Sequence, residues 1–206
     1  MNEGYSETLQ DIASSNPTPG GGSVSALVLA HGHALAVMVS RLTLSRDRWI
    51  DGHAAARDII SMSGEGMNDS MAMADADAES FDLVMEAYRM PRSNDDEISL
   101  RNTAIQMATI GAAKSPLSIA RESLSLLDST LELAKFGNSN ALTDLAASAE
   151  LARASFIIAS MNVRINLDSI DGDESANISS ELSSLEDDVN ASYAKISTVI
   201  RERLGW

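Results

Sequence analysis

Apolar residues recur at spacings of three and four along almost the whole chain, and no run alternates apolar with polar positions as a half-buried strand does. The pattern predicts an all-α fold, a single-domain bundle of long helices over residues 1–206 with a Gly-rich turn before the second helix. A short helix is expected near Ser6–Ser15, then a turn at Pro17–Gly22, then an apolar helix from Ser23 to Leu44. A long helix follows from His53 to Arg89, where Pro91 stops it. Two segments, Asp95–Ala113 and Pro116–Phe136, are expected to divide or kink at Pro116, because proline cannot donate the internal hydrogen bond. Gly137 closes the second segment, another helix runs from Ala141 to Ile170, and Asp171–Gly172–Asp173 breaks it. In the last helix Ile178, Leu182, Leu185, Val189, Tyr193, Ile196, Ile200 and Leu204 form one stripe, with Glu181, Glu186, Asp187, Asp188 and Asn190 between them. That stripe packs either inside the bundle or against a second subunit.

Composition narrows the function classes. Hydrophobic residues make up 44% and aromatics only 4%, which suits close packing of helices through small and aliphatic side chains. There is no cysteine, so disulfides and thiolate chemistry are excluded. A net charge of −15 argues against nucleic acid and anionic membrane surfaces as partners. The start MNEGYSETLQ has no basic segment leading into an apolar one, and Val24–Val39 is interrupted by Ser25, His31, Gly32 and His33, so a cytoplasmic protein without a membrane span is expected. His31 and His33 point roughly 200° apart on a helix and His53 has no visible partner, so no metal site is expected.

Pro17-Thr18-Pro19-Gly20-Gly21-Gly22-Ser23, directly before an apolar helix, is the most informative stretch. Its glycines allow a tight bend and a close approach, and Ser23 is a candidate helix cap at an end suited to an anion. A plain tight turn between packed helices explains the composition equally well. On the acidic helix, Met73, Ala74, Asp77, Phe81, Val84 and Tyr88 share one stripe, while Asp75, Glu79, Asp82 and Glu86 form a solvated face. A carboxylate among apolar neighbours needs a partner or a raised pKa, so Asp77 is either a structural bridge or a site residue. On the penultimate helix, Asp144, Ser148, Leu151, Ser155, Asn162 and Asn166 share a stripe, with Asn138 or Asn140 expected to cap its start. Asp144 and Asn162 lie roughly 27 Å apart along that axis, too far for one atom to touch both.

Pro-Thr-Pro-Gly-Gly-Gly-Ser-Val-Ser-Ala-Leu, followed by Met38-Val39-Ser40-Arg41-Leu42-Thr43, closely resembles the opening motif of the cyclodeaminase domain of formiminotransferase–cyclodeaminase and of related methenyltetrahydrofolate cyclohydrolases. Three further segments resemble the family in the same order. They are the acidic helix from Ala74 to Phe81 with Ala87–Pro91, then Pro116-Leu117 with Ala120, then Gly137–Asp144 with Asn162–Leu167. Arg41 stands where members of the family usually carry Asn, and Thr143 where they carry Ser.

The resemblance implies a folate-dependent one-carbon enzyme, with a tetrahydrofolate derivative as substrate, no metal, and a homodimeric assembly. It favours Asp77 and Asp144 as catalytic carboxylates. Pro19, Gly20, Gly21, Gly22, Ser23, Asn140 and Asn162 are implied substrate contacts, with Arg41, Lys114 and Arg164 as candidates for the acidic tail of the folate. A chain without a transferase part suggests the cyclohydrolase before the cyclodeaminase. The alternatives are a non-catalytic folate-binding or helical assembly protein, and a helical enzyme for another pterin-like substrate.

Overall fold

A computed structural model describes residues 4–206. Six α-helices follow in chain order: α1 (Tyr5–Ile12), α2 (Gly21–Leu44), α3 (His53–Arg89), α4 (Asp95–Phe136), α5 (Leu142–Leu167) and α6 (Asp173–Leu204). Short 3-10 turns at Asp47–Gly52 and Ser139–Ala141 join α2 to α3 and α4 to α5. Among the described residues there is no strand. The all-α expectation holds.

Small residues let the helices approach closely. Ala26, Ala36, Ala113, Ala120, Ala152 and Ala159 are fully buried, and a Cβ on Gly32 would stand 3.0 Å from Leu126 and 3.3 Å from the Ser148 carbonyl. The Ser148 hydroxyl donates to the Gly32 carbonyl at 2.7 Å, joining α5 to α2. Around these contacts Leu29, Ile59, Leu117, Leu126, Leu127 and Leu145 form the core. The α6 stripe packs inside the bundle, where Ile178, Leu182, Val189, Ile196 and Ile200 are buried against α4 and α5.

Two expectations change. Pro116 neither divides nor ends a helix, because α4 runs unbroken through it for 42 residues. And α2 begins at Gly21, so Ser23 is its third residue and not its cap; Gly20, in extended conformation, holds the cap position without a side-chain bond. By length and composition α2 is apolar enough to cross a membrane, yet 56% of its most apolar 18-residue window is buried in the bundle. Its inward face carries Ser25, His33, Ser40 and Thr43, all fully buried. His33 meets Ser63 at 3.0 Å and Glu122 at 3.3 Å.

Candidate functional site

The first turn of α2 meets α3 at a carboxylate. The Ser23 hydroxyl donates to Asp77 Oδ2 at 3.1 Å. An anion at the amino end of a helix faces exposed N–H groups and the positive pole of the backbone dipole. Gly22 makes the contact possible. A Cβ there would stand 2.6 Å from Asp77 Cγ and closer still to both oxygens. The anion expected at this helix end is therefore supplied first by the protein itself.

Asp77 is half-buried and Ser23 fully buried. Desolvation raises the Asp77 pKa above the ordinary carboxylate value, and hydrogen bonding from Ser23 pulls it partly back. The opposite face behaves as expected, since Asp75, Glu79, Asp82 and Glu86 are all exposed. The aromatic part of the Asp77 stripe does not, because Phe81 is 37% and Tyr88 49% exposed. In that stretch α3 and α4 run on with few buried residues, so the apolar stripe opens to solvent.

Other predicted residues gather at the same bend. Asn162 of α5 is half-buried, its Nδ2 donates to the Ile158 carbonyl at 2.9 Å, and it lies 3.6 Å from where a Cβ on Gly21 would stand. The Thr18–Pro19 peptide bond is cis, and Thr18, Pro19 and Ser23 line an open cleft of about 390 Å³ with Asp11, Met71 and Asp75. Gly20–Ser23, Asp77 and Asn162 thus come together from three helices.

Asp144 lies elsewhere. It lines a second cleft, of about 520 Å³, with Ser45, Arg46, Arg48, Asn138 and Asn140, beside the carboxyl end of α2. Twenty residues of helix separate Gly22 from Leu42, roughly 30 Å, so Asp77 and Asp144 cannot serve one reacting atom within one subunit. Asn138 caps the short Ser139–Ala141 turn and not α5, whose cap position is held by Ala141 without a side-chain bond. The Asn138 Oδ1 accepts from the Asn140 amide at 3.0 Å and its Nδ2 donates to the Leu42 carbonyl at 3.3 Å.

The candidate tail contacts divide. Lys114 pairs with Glu174 and Arg164 with Glu186, so both are engaged in tying α4 and α5 to α6. Arg41 is exposed and lines a shallow groove with Met38, Leu42 and Met67. Sequence reasoning missed Arg46 and Arg48, which are exposed in the second cleft, with Arg48 stacked 4.5 Å over the Trp49 ring. Among the described residues Arg41, Arg46 and Arg48 form no ion pair. Three arginines within eight residues, in a chain with 15 lysines and arginines, were the available signal. No group of three metal-ligating side chains occurs among the described residues.

A family model described as formiminotransferase-cyclodeaminase matches residues 5–184. The chain is 34% identical over 171 residues to methenyltetrahydrofolate cyclohydrolase of Methylorubrum extorquens, covering 82% of each protein. It is 31% identical over 162 residues to formimidoyltransferase-cyclodeaminase of Gallus gallus, of which it spans only 30%. In structure it is similar to formiminotetrahydrofolate cyclodeaminase from Thermotoga maritima, with TM-score 0.87, 30% identity and coverage of 98% of this chain and 96% of the other. The chain carrying this glycine-bend carboxylate belongs to the formiminotransferase-cyclodeaminase family.

Proposed function

We propose that this protein is a folate one-carbon enzyme that interconverts groups between nitrogens 5 and 10 of tetrahydrofolate, with Asp77 as its general acid and base. Methenyltetrahydrofolate hydrolysis is the leading activity, because the cyclohydrolase relative, at 34% identity, exceeds the 31% and 30% of the two cyclodeaminases named above. The observation that carries the mechanism is a half-buried carboxylate of raised pKa held at the glycine bend by Ser23.

In hydrolysis, water adds to the cationic methenyl carbon and Asp77 takes its proton. Asp77 returns that proton to nitrogen 5 as the carbon–nitrogen bond breaks. It then takes the hydroxyl proton as the formyl C=O forms, and releases it to solvent. The products are 10-formyltetrahydrofolate and one proton. In the deaminase direction, nitrogen 10 attacks the protonated formimino carbon and gives its proton to Asp77. Asp77 passes it to the amino group, which leaves as ammonia, and the methenyl cation remains. A carboxyl whose pKa lies above its usual range is better matched to giving as well as taking a proton near neutrality. In this reading Asn162 and the glycine bend, which meet beside Asp77, orient the pterin.

We further propose a homodimer built on the uncovered face of α2. Val24, Val28, His31, Leu35, Met38 and Leu42 follow a spacing of three and four there, and all are half-buried or exposed. Acidic Asp11 and Asp75 lie at the amino end of this helix, and Arg41, Arg46 and Arg48 at the carboxyl end. Charge of opposite sign at the two ends is self-complementary for an antiparallel, two-fold pair. Such a pair would bring the Asp144 cleft of one copy towards the Asp77 bend of the other, giving both carboxylates access to one ligand.

Assaying methenyl- and formiminotetrahydrofolate side by side tests the activity. Turnover of either supports the reading and ranks the two reactions. Folate binding without turnover points to a binding protein, and no binding to an assembly role.

A further inference from the structure

Pro116 sits in the middle of α4 and is buried. Lacking an N–H, it leaves the carbonyl four residues earlier, that of Ala112, without its helical partner. Ala112 is itself buried, 6% exposed, so water does not readily replace that partner. The replacement comes from another helix. Asn166 of α5 donates its Nδ2 to the Ala112 carbonyl at 2.8 Å. The second hydrogen of the same amide goes to the Asn162 carbonyl at 2.9 Å, one turn back along α5. Both donors of Asn166 are used, and one of them fills the gap that Pro116 opens.

The pairing also explains why α4 passes through Pro116 without a break. It has a consequence for the site, because Asn166 pins α5 to α4 one turn from Asn162, the residue that abuts Gly21 at the bend. A helix slipped or rotated at residue 166 carries Asn162 away from the glycines.

We propose that Asn166 is a positioning residue: by taking the Ala112 carbonyl that Pro116 leaves free, it fixes the register of α5 against α4 and so holds Asn162 at the folate site. This rests on the functional reading above only for its effect on the ligand; the pairing itself stands on the geometry.

The test uses four full-length chains: wild type, Asn166→Ala, Pro116→Ala and the double variant. Each is measured for thermal midpoint and for kcat and KM with methenyltetrahydrofolate. Asn166→Ala is expected to melt several degrees lower and to raise KM roughly tenfold, as for a buried carbonyl left unpaired. Its kcat should change much less, since the Asp77–Ser23 pair is untouched. Pro116→Ala should stay near wild type. In the double variant the alanine that replaces Pro116 brings a backbone N–H to the Ala112 carbonyl, so midpoint and KM should return close to those of Pro116→Ala. Wild-type KM in Asn166→Ala overturns the positioning role, and a double variant no better than Asn166→Ala overturns the pairing. Should Asn166→Ala fail to fold, the double variant decides: folded with near-wild-type KM supports the proposal, and unfolded refutes it. If the wild type itself neither binds nor turns over folate, the functional reading fails, while the four melting points still decide the pairing.

Discussion

Gly22→Ala separates the chemistry of the bend from the stability of the bundle. The added methyl would stand 2.6 Å from Asp77 Cγ, where non-bonded carbons normally keep about 3.5–4 Å, an overlap of roughly 1 Å. The backbone at position 22 is fixed in the first turn of α2, so the carboxylate is the group that moves. Its bond from the Ser23 hydroxyl is already 3.1 Å, and a further displacement of this size breaks it. The fold tolerates the change. Alanine favours a helix over glycine by up to about 1 kcal/mol, which offsets the roughly 1 kcal/mol lost with the Ser23 bond. Catalysis does not, because moving an acid/base group by about 1 Å costs on the order of 100-fold. Gly21→Ala is the comparison, since its Cβ would meet Asn162 Nδ2 at 3.6 Å and Ile158 at 3.9 Å, ordinary contact distances. Thermal melts and kcat/KM for methenyltetrahydrofolate on both variants provide the assay. The expected result is two folded proteins, with the loss at least about tenfold larger for Gly22→Ala. Equal losses in the two, or an active Gly22→Ala, would refute the claim that the Asp77 position matters.

Ser23→Ala removes a bond that lowers the Asp77 pKa, so the acid limb of the rate profile should move to higher pH; an unmoved limb would mean that another group titrates. Because the folded-state pKa of Asp77 is raised, its ionisation costs stability as pH climbs from the ordinary carboxylate range through the raised value. Asp77→Asn should therefore gain stability relative to wild type as pH rises through that window, measured by chemical denaturation, and a pH-independent difference would contradict the assigned shift. For the assembly, Leu35→Asp places a charge in the middle of the open α2 face and should convert a dimer to monomers in sedimentation velocity; a wild type that sediments as a monomer rejects the proposed pair.

The helices are legible in the sequence because one face of each must be apolar at a period of 3.6, and this requirement is local. The amphipathic α6 follows from it directly, while the end of α3 at Arg89 follows from Pro91. The continuity of α4 through Pro116 is not legible, for the opposite reason: it depends on Asn166, on a different helix, and nothing near the proline announces that partner. The same limit applies to Lys114 and Arg164, whose partners Glu174 and Glu186 lie on α6. Asp77 is legible because an acid on an apolar stripe needs compensation wherever it lies, and the compensating group is Ser23 in the glycine segment itself. The position of Asp144 at the far end of α2 follows from how the helices are arranged, which periodicity does not encode.

The most direct measurement is the steady-state rate of Asp77→Asn on methenyltetrahydrofolate and formiminotetrahydrofolate, with folding checked by circular dichroism and folate affinity by calorimetry. A folded variant that still binds folate but turns over both substrates about 100-fold or more slowly is the predicted outcome. Wild-type rates on both substrates from a folded Asp77→Asn protein would contradict the role assigned to that carboxylate.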